Sequence, residues 1–258
     1  MTNYKKNRME KNKIWWIFIL FVGIMSYGYG LFSAKYHIFP YKQIRYFKNV
    51  IIAYNNEHAH SKNSVTAGQK KQVASYYQNK ISFFKVNGSR ADIVMIGDSI
   101  TDYAEWSELF PNKKIANRGI GGDTTKGVLN RMESIYSTNA KKAFIMIGIN
   151  DLSKDVSVNE ILSNYEKIVV QLKQHGIAPY VQSVLLVGVK RTHLNDDIIK
   201  LNLKLRELSK KENIVFIDLN EVFAKNGKLK RSLSSKDDIH LNGEGYLAWK
   251  NSIEKFIN

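Results

Sequence analysis

The chain has no cysteine. Disulfides, thiolate-held metals and a cysteine nucleophile are therefore excluded, whatever compartment the protein occupies. Acidic residues are scarce at one end. Residues 1–34 carry 5 Lys or Arg against 1 Asp or Glu, and residues 35–90 carry 10 against 1. From residue 91 onward the count is 24 against 21, a net of only +3 within a whole-chain charge of +16. The basicity thus lies ahead of the folded part. A nucleic-acid-binding module needs a basic face on the folded domain itself, so no nucleic-acid partner is expected. Repeats and low-complexity tracts are also missing. A hydrophobic content of 44% excludes a disordered chain, and 258 residues suffice for one α/β domain with a substantial core and something more.

Charge is absent between Ile14 and Phe32. At ~1.5 Å per residue this run just crosses a hydrocarbon core about 30 Å thick. Trp15 and Trp16 at one end, and Tyr27 and Tyr29 near the other, suit the two interfaces. The run has no polar face, which a core helix would show. Phe32-Ser33-Ala34 places Phe where a signal-peptidase site wants a small residue. An uncleaved transmembrane signal anchor over 14–32 is expected, behind a basic tail over 1–13. Lys35, Lys42, Arg45 and Lys48 follow the span closely, so the positive-inside bias is slight. A short basic N-terminus before a first span favours that end inside. The protein is then expected at the cell membrane, single-pass, with its domain extracytoplasmic. Residues 33–90 read as a basic stalk with a leading helix over Val65 to Lys85, apolar at Val73, Tyr76, Tyr77, Ile81 and Phe84. That helix either packs on the domain or offers a surface to anionic headgroups or an anionic polymer.

From residue 91 to 258 strand and helix patterns alternate. Strands are expected over Asp92–Ile96, Lys114–Asn117, Ala143–Ile147, Tyr180–Leu186 and Ile214–Asp218. Helices are expected over Ile100–Phe110, Thr124–Tyr136, Val158–His175, Asp196–Lys211 and Gly245–Ile257, with Gly176 closing the third. The alternation predicts an α/β fold with a five-stranded parallel sheet covered on both faces. In such a sheet all strand C-termini share one edge, where ligands bind. Ser99, the Gly119–Gly122 turn and Asn150 follow the first three strands and can converge there.

A serine nucleophile needs a base, and histidine is the usual one near neutral pH. The histidine needs an acceptor to fix its tautomer. Of the six histidines only His240 has an Asp three positions before it, Asp237. Acyl transfer also needs donors for the developing oxyanion. The N–H groups of Ser99 and Gly122 and the side chain of Asn150 are available. A phosphate loop fits less well: no Gly-Lys-Ser/Thr follows, and Gly119-Ile120-Gly121-Gly122-Asp123 lacks the three-glycine dinucleotide spacing. No cluster has metal-ligand spacing, so neither metal nor cofactor is implied. Trp106, Trp249 and Tyr246 suit either a sugar site or the core.

Four blocks, IVMIGDSIT with Ser99, NRGIGGDTT with Gly122, IGIND with Asn150 and DDIHLNGEGY with His240, occur in this order. Together they resemble the SGNH (GDSL-type) hydrolase superfamily over about residues 91–258. The likeness is to the small bacterial esterase branch similar to platelet-activating-factor acetylhydrolase catalytic subunits. The resemblance implies a flavodoxin-like three-layer α/β/α sandwich. It also implies a Ser99–His240–Asp237 triad and an oxyanion hole of Ser99, Gly122 and Asn150. Where the family often has glycine after the triad aspartate, this chain has Asp238, the nearby alternative for the orienting role. The expected activity is hydrolysis of short acyl esters, O-acetyl foremost, on glycans. Acyl transfer to a surface glycan hydroxyl, lysophospholipase or thioesterase activity, and a non-enzymatic binding module are the alternatives. The loop Val187–Asn195 would help set acyl specificity.

Overall fold

Strands without polar positions need cover on both faces. The computed structural model describes residues 67–88 and 90–257. The tail over 1–13, the span over 14–32 and the first half of the stalk lie outside these. Among the described residues no helix is long and apolar enough to cross a membrane. They belong to one compact unit, Ala67–Asn258. In chain order it runs α1 (Ala67–Val86), β1 (Ile93–Gly97), α2 (Ser99–Asp102), α3 (Trp106–Leu109), β2 (Ile115–Gly119), α4 (Thr125–Leu129), α5 (Glu133–Tyr136) and β3 (Lys142–Met146). It continues with α6 (Ile149–Leu152), α7 (Val158–Gln174), β4 (Ala178–Gln182), α8 (Asn195–Lys211), β5 (Val215–Ile217), α9 (Asn220–Phe223), the hairpin β6 (Ala224–Lys225) and β7 (Lys228–Leu229), and α10 (Gly243–Ile257). 3-10 segments lie at Val189–Leu194, kinked at Arg191, and at Arg231–Leu233.

The main sheet has the order β2-β1-β3-β4-β5 and is parallel throughout. This is the doubly wound flavodoxin-like order, which reverses direction beside β1. Side chains alternate along β1. Val94 and Ile96 enter a core shared with Ile161, Ile168 and Leu172 of α7 and Leu201 and Leu205 of α8. Ile93 and Met95 enter the opposite core with Trp106 and with Trp249, Ile253 and Ile257 of α10. Helices therefore cover both faces. Trp106 and Trp249 meet edge-on at 5.0 Å and are fully buried, which places them in the core and not in a sugar site. Tyr246 is half-buried, and its hydroxyl donates to the Ile100 carbonyl.

The structure corrects three expected elements. The helix predicted over Ile100–Phe110 is two short pieces, because side chains take the carbonyls that would continue it. Trp106 Nε1 donates to the Thr101 oxygen at 3.0 Å, and Asn117 Nδ2 to the Asp102 oxygen at 3.0 Å. The helix predicted over Thr124–Tyr136 breaks into α4 and α5, with the buried Arg131 in the gap reaching back to the sheet edge. The strand predicted to reach Leu186 stops at Gln182. Beyond it Asn202, Asn220 and Asn195 side chains accept the N–H groups of Val184, Leu186 and Val187 in place of a neighbouring strand. The leading helix is present as α1, with Phe84 as its buried anchor beneath the Arg118 guanidinium.

Candidate active site

β1 delivers Gly97-Asp98-Ser99 to the C-terminal edge of the sheet. Gly97 is required by space: a Cβ there would lie 2.5 Å from the Met146 carbonyl oxygen on β3. Asp98 then caps α2, its Oδ1 accepting the Ile100 N–H at 3.0 Å. This carboxyl is fully buried, and burial pushes its pKa up to about 7. Ser99 opens α2 with its hydroxyl 2.7 Å from His240 Nε2.

The segment carrying His240 is closed at its base. Ser234 and Leu241 form an antiparallel bridge, and the Ser235 N–H donates to the His240 carbonyl at 2.8 Å. Asp237 Oδ2 lies 2.5 Å from His240 Nδ1. Its Oδ1 accepts the N–H groups of Ile239 and His240 and the Ser235 hydroxyl. Burial would raise the Asp237 pKa, but these hydrogen bonds outweigh it and hold the carboxyl well below the usual carboxylate range. An ionised Asp237 only accepts, so the imidazole proton sits on Nδ1 and Nε2 is left to accept from Ser99. Tyr103 lies against the imidazole with ring centres 5.3 Å apart.

Asp238 does not share this role. Its backbone is left-handed at φ 65°, and its carboxylate accepts from Arg231 Nη1 at 2.9 Å and the Lys190 N–H at 3.0 Å. The two adjacent aspartates thus face different partners. Asp237 orients the histidine, while Asp238 ties the segment to the loop after Gly188.

Beside Ser99 lies the Gly121–Gly122 turn. A Cβ on Gly121 would sit 4.0 Å from the Ser99 Cβ. The Gly121 N–H is taken by Asp102 Oδ2 at 3.1 Å. Gly122 has φ 78° and no atom within 4 Å of a built Cβ, so it faces open space. Among the described residues the Gly122 and Ser99 N–H groups have no intramolecular acceptor. Asn150, on α6, donates one Nδ2 hydrogen to the Asp123 carbonyl at 2.9 Å. Its other hydrogen remains for a ligand.

A buried polar frame holds these donors, and most of it was not singled out by the sequence. Asp123 pairs with Arg131 at 2.8 Å, both side chains about 1% exposed. Arg131 Nη2 also donates to the Arg118 carbonyl at 2.8 Å. Asp151 accepts from the Thr125 hydroxyl at 2.6 Å and from its N–H, joining the Asn150 turn to α4. Burial raises the Asp151 pKa against the Thr125 hydrogen bonds, which lower it. Asp123, Thr125 and Asp151 stand within blocks already noted for Gly122 and Asn150. Arg131 carried no such signal, because in sequence it is one more polar residue on an amphipathic stretch.

A serine hydroxyl, an imidazole bonded to it and to a carboxylate, and unpaired N–H donors beside a sheet edge are the parts a serine hydrolase site requires. The sequence places it further. The profile of the GDSL-like Lipase/Acylhydrolase family matches residues 95–248, and the chain belongs to that family. Its domain is accordingly that of an ester hydrolase. The chain is 28% identical over 186 residues to the N-acylneuraminate cytidylyltransferase of Streptococcus agalactiae serotype V, covering 70% of this chain but 43% of that protein. The chain thus spans under half the length of that curated relative. It is 29% identical over 162 residues to platelet-activating factor acetylhydrolase IB subunit alpha2 of Rattus norvegicus, covering 60% of this chain and 71% of that one. A solved Streptococcus pneumoniae structure described as a platelet activating factor superposes with a TM-score of 0.68 at 27% identity, over 78% of this chain and 99% of that one.

Proposed function

We propose that the protein is a membrane-anchored serine esterase that removes short acyl groups, O-acetyl foremost, from glycans. The observation that carries the chemistry is the relay Ser99–His240–Asp237, at 2.7 and 2.5 Å. His240 Nε2 takes the Ser99 proton as Oγ attacks the ester carbonyl. The oxyanion is held by the N–H groups of Ser99 and Gly122 and by Asn150 Nδ2. His240 then protonates the leaving alcohol, and water, activated by the same imidazole, releases the acid.

Two relatives support the substrate reading. One is named as an acetylhydrolase, which favours a short acyl group. The other is named for an N-acylneuraminate, which favours an acylated sugar. Anchorage through 14–32 with the domain outside would set the site beside cell-surface glycans. The test is a p-nitrophenyl ester series from acetate to long chains, followed by acetylated polysaccharides. Acetate should be cleaved fastest, and Ser99→Ala should abolish turnover. A preference for long chains would contradict the substrate reading and favour a lipid ester. An acetylated sugar acceptor formed in a single turnover would instead reveal a transferase.

A further inference from the structure

We infer that α1 is a working part of the active site: Lys80 and Tyr76 act through Asp102 as positioning residues for the Gly121–Gly122 turn. This rests on the acyl-enzyme reading above. Tyr76, Lys80 and Phe84 are spaced four apart and share one face of α1. Phe84 is buried and anchors the helix. The Lys80 ammonium sits over both rings, 5.9 Å from the Tyr76 centroid and 5.4 Å from that of Phe84. Lys80 Nζ is 2.6 Å from Asp102 Oδ1, and the Tyr76 hydroxyl donates to Asp102 Oδ2. That same Oδ2 accepts the Gly121 N–H at 3.1 Å.

The Asp102 side chain is only 3% exposed, although it stands at the rim of the site. Burying a charge is costly unless it is paired and hydrogen-bonded. Lys80 supplies the pairing charge, and Tyr76 and Gly121 both donate to Oδ2. The Tyr76 ring edge would lie 3.5 Å from a Cβ on Gly121, so the tyrosine also backs the turn sterically. One residue along, the Tyr77 hydroxyl donates to Asp123 Oδ1 at 3.3 Å, and the Asp123 carbonyl holds Asn150. The helix therefore grips the residues on either side of Gly122. The direction of the Gly122 N–H is fixed between these two anchors. Without Lys80, Asp102 loses its counter-charge, and the Gly121 peptide is free to turn.

The test uses the full chain carrying Lys80→Met, Tyr76→Phe or both, with Lys80→Arg as the charge-retaining variant and Ser99→Ala in parallel. On p-nitrophenyl acetate, kcat should fall about tenfold in the double variant, less than the 10²–10³ lost when an oxyanion donor is removed outright. KM should stay near wild type, the melting temperature should fall where Lys80→Met leaves Asp102 without its counter-charge, and Lys80→Arg should recover both the melting temperature and most of kcat. The Gly121 and Gly122 amide resonances should move in the double variant and return in Lys80→Arg. Wild-type kcat in the double variant, a loss confined to KM, or unmoved glycine amides would overturn the inference. If wild type were no faster than Ser99→Ala, the esterase reading would fail. The glycine amides would still decide whether α1 positions the turn.

Discussion

Asp98, the residue before Ser99, carries a carboxyl whose protonated form is favoured by burial. Its folded pKa, about 7, lies above its ordinary 3.8 because burial disfavours the charge. Between those values the folded state keeps a proton that the unfolded chain releases. Stability should therefore fall as pH rises from about 4 to about 7 and level off above. Asp98→Asn keeps a side-chain oxygen that caps α2 equally well and cannot ionise. Urea denaturation at pH 5 and pH 8 should show wild type losing stability across the interval, with that loss reduced in the variant. Asp237 has the opposite sign. Its depressed pKa gives stability that is present above about pH 4 and lost as pH falls through the folded value. Two carboxylates of one site thus set opposing slopes in separate pH ranges.

At the scale of elements, the five strands and the long helices were legible in the sequence, while the short helices and the end of β4 were not. β1 and β3 are runs of buried apolar residues, and α7 and α8 carry a clear apolar stripe, so periodicity alone finds them. The apolar spacing of Ile100 to Phe110 looks equally helical. It fails because Asn117, 13 residues beyond Ala104, competes for the carbonyls, and a local pattern does not register such a distant partner. The candidate site follows the same division. Ser99, Gly122, Asn150, Asp237 and His240 stand at strand ends or in a loop, where a motif shows them. Arg131 and Lys80 reach their places through tertiary contacts that no spacing encodes. Asn117 makes its own prediction. Its side chain donates to the carbonyls of Asp102 and Ala104 and accepts the Gly119 N–H. Asn117→Ala leaves these groups unpaired and should cost about 1–3 kcal/mol in urea denaturation. Loosening α2 should also lower kcat, since α2 carries Ser99 at its start and Asp102 at its end.

For the whole molecule, charge and hydrophobicity are divided along the chain. Residues 91–258 are nearly balanced, while the basic and apolar stretches precede them. We propose that this division anchors the unit outside the membrane through residues 14–32. Protease treatment of intact cells should then remove the domain, and a domain left untouched would contradict that orientation. The unit includes α1, so any shortened form meant to retain activity should begin no later than Ala67. Whether Ser99 is the nucleophile of an acyl-enzyme is read by intact and peptide mass spectrometry after treatment with a fluorophosphonate. One adduct is expected, mapped to Ser99 and lost in Ser99→Ala. A folded protein that takes no label, or carries it on another residue, would contradict it.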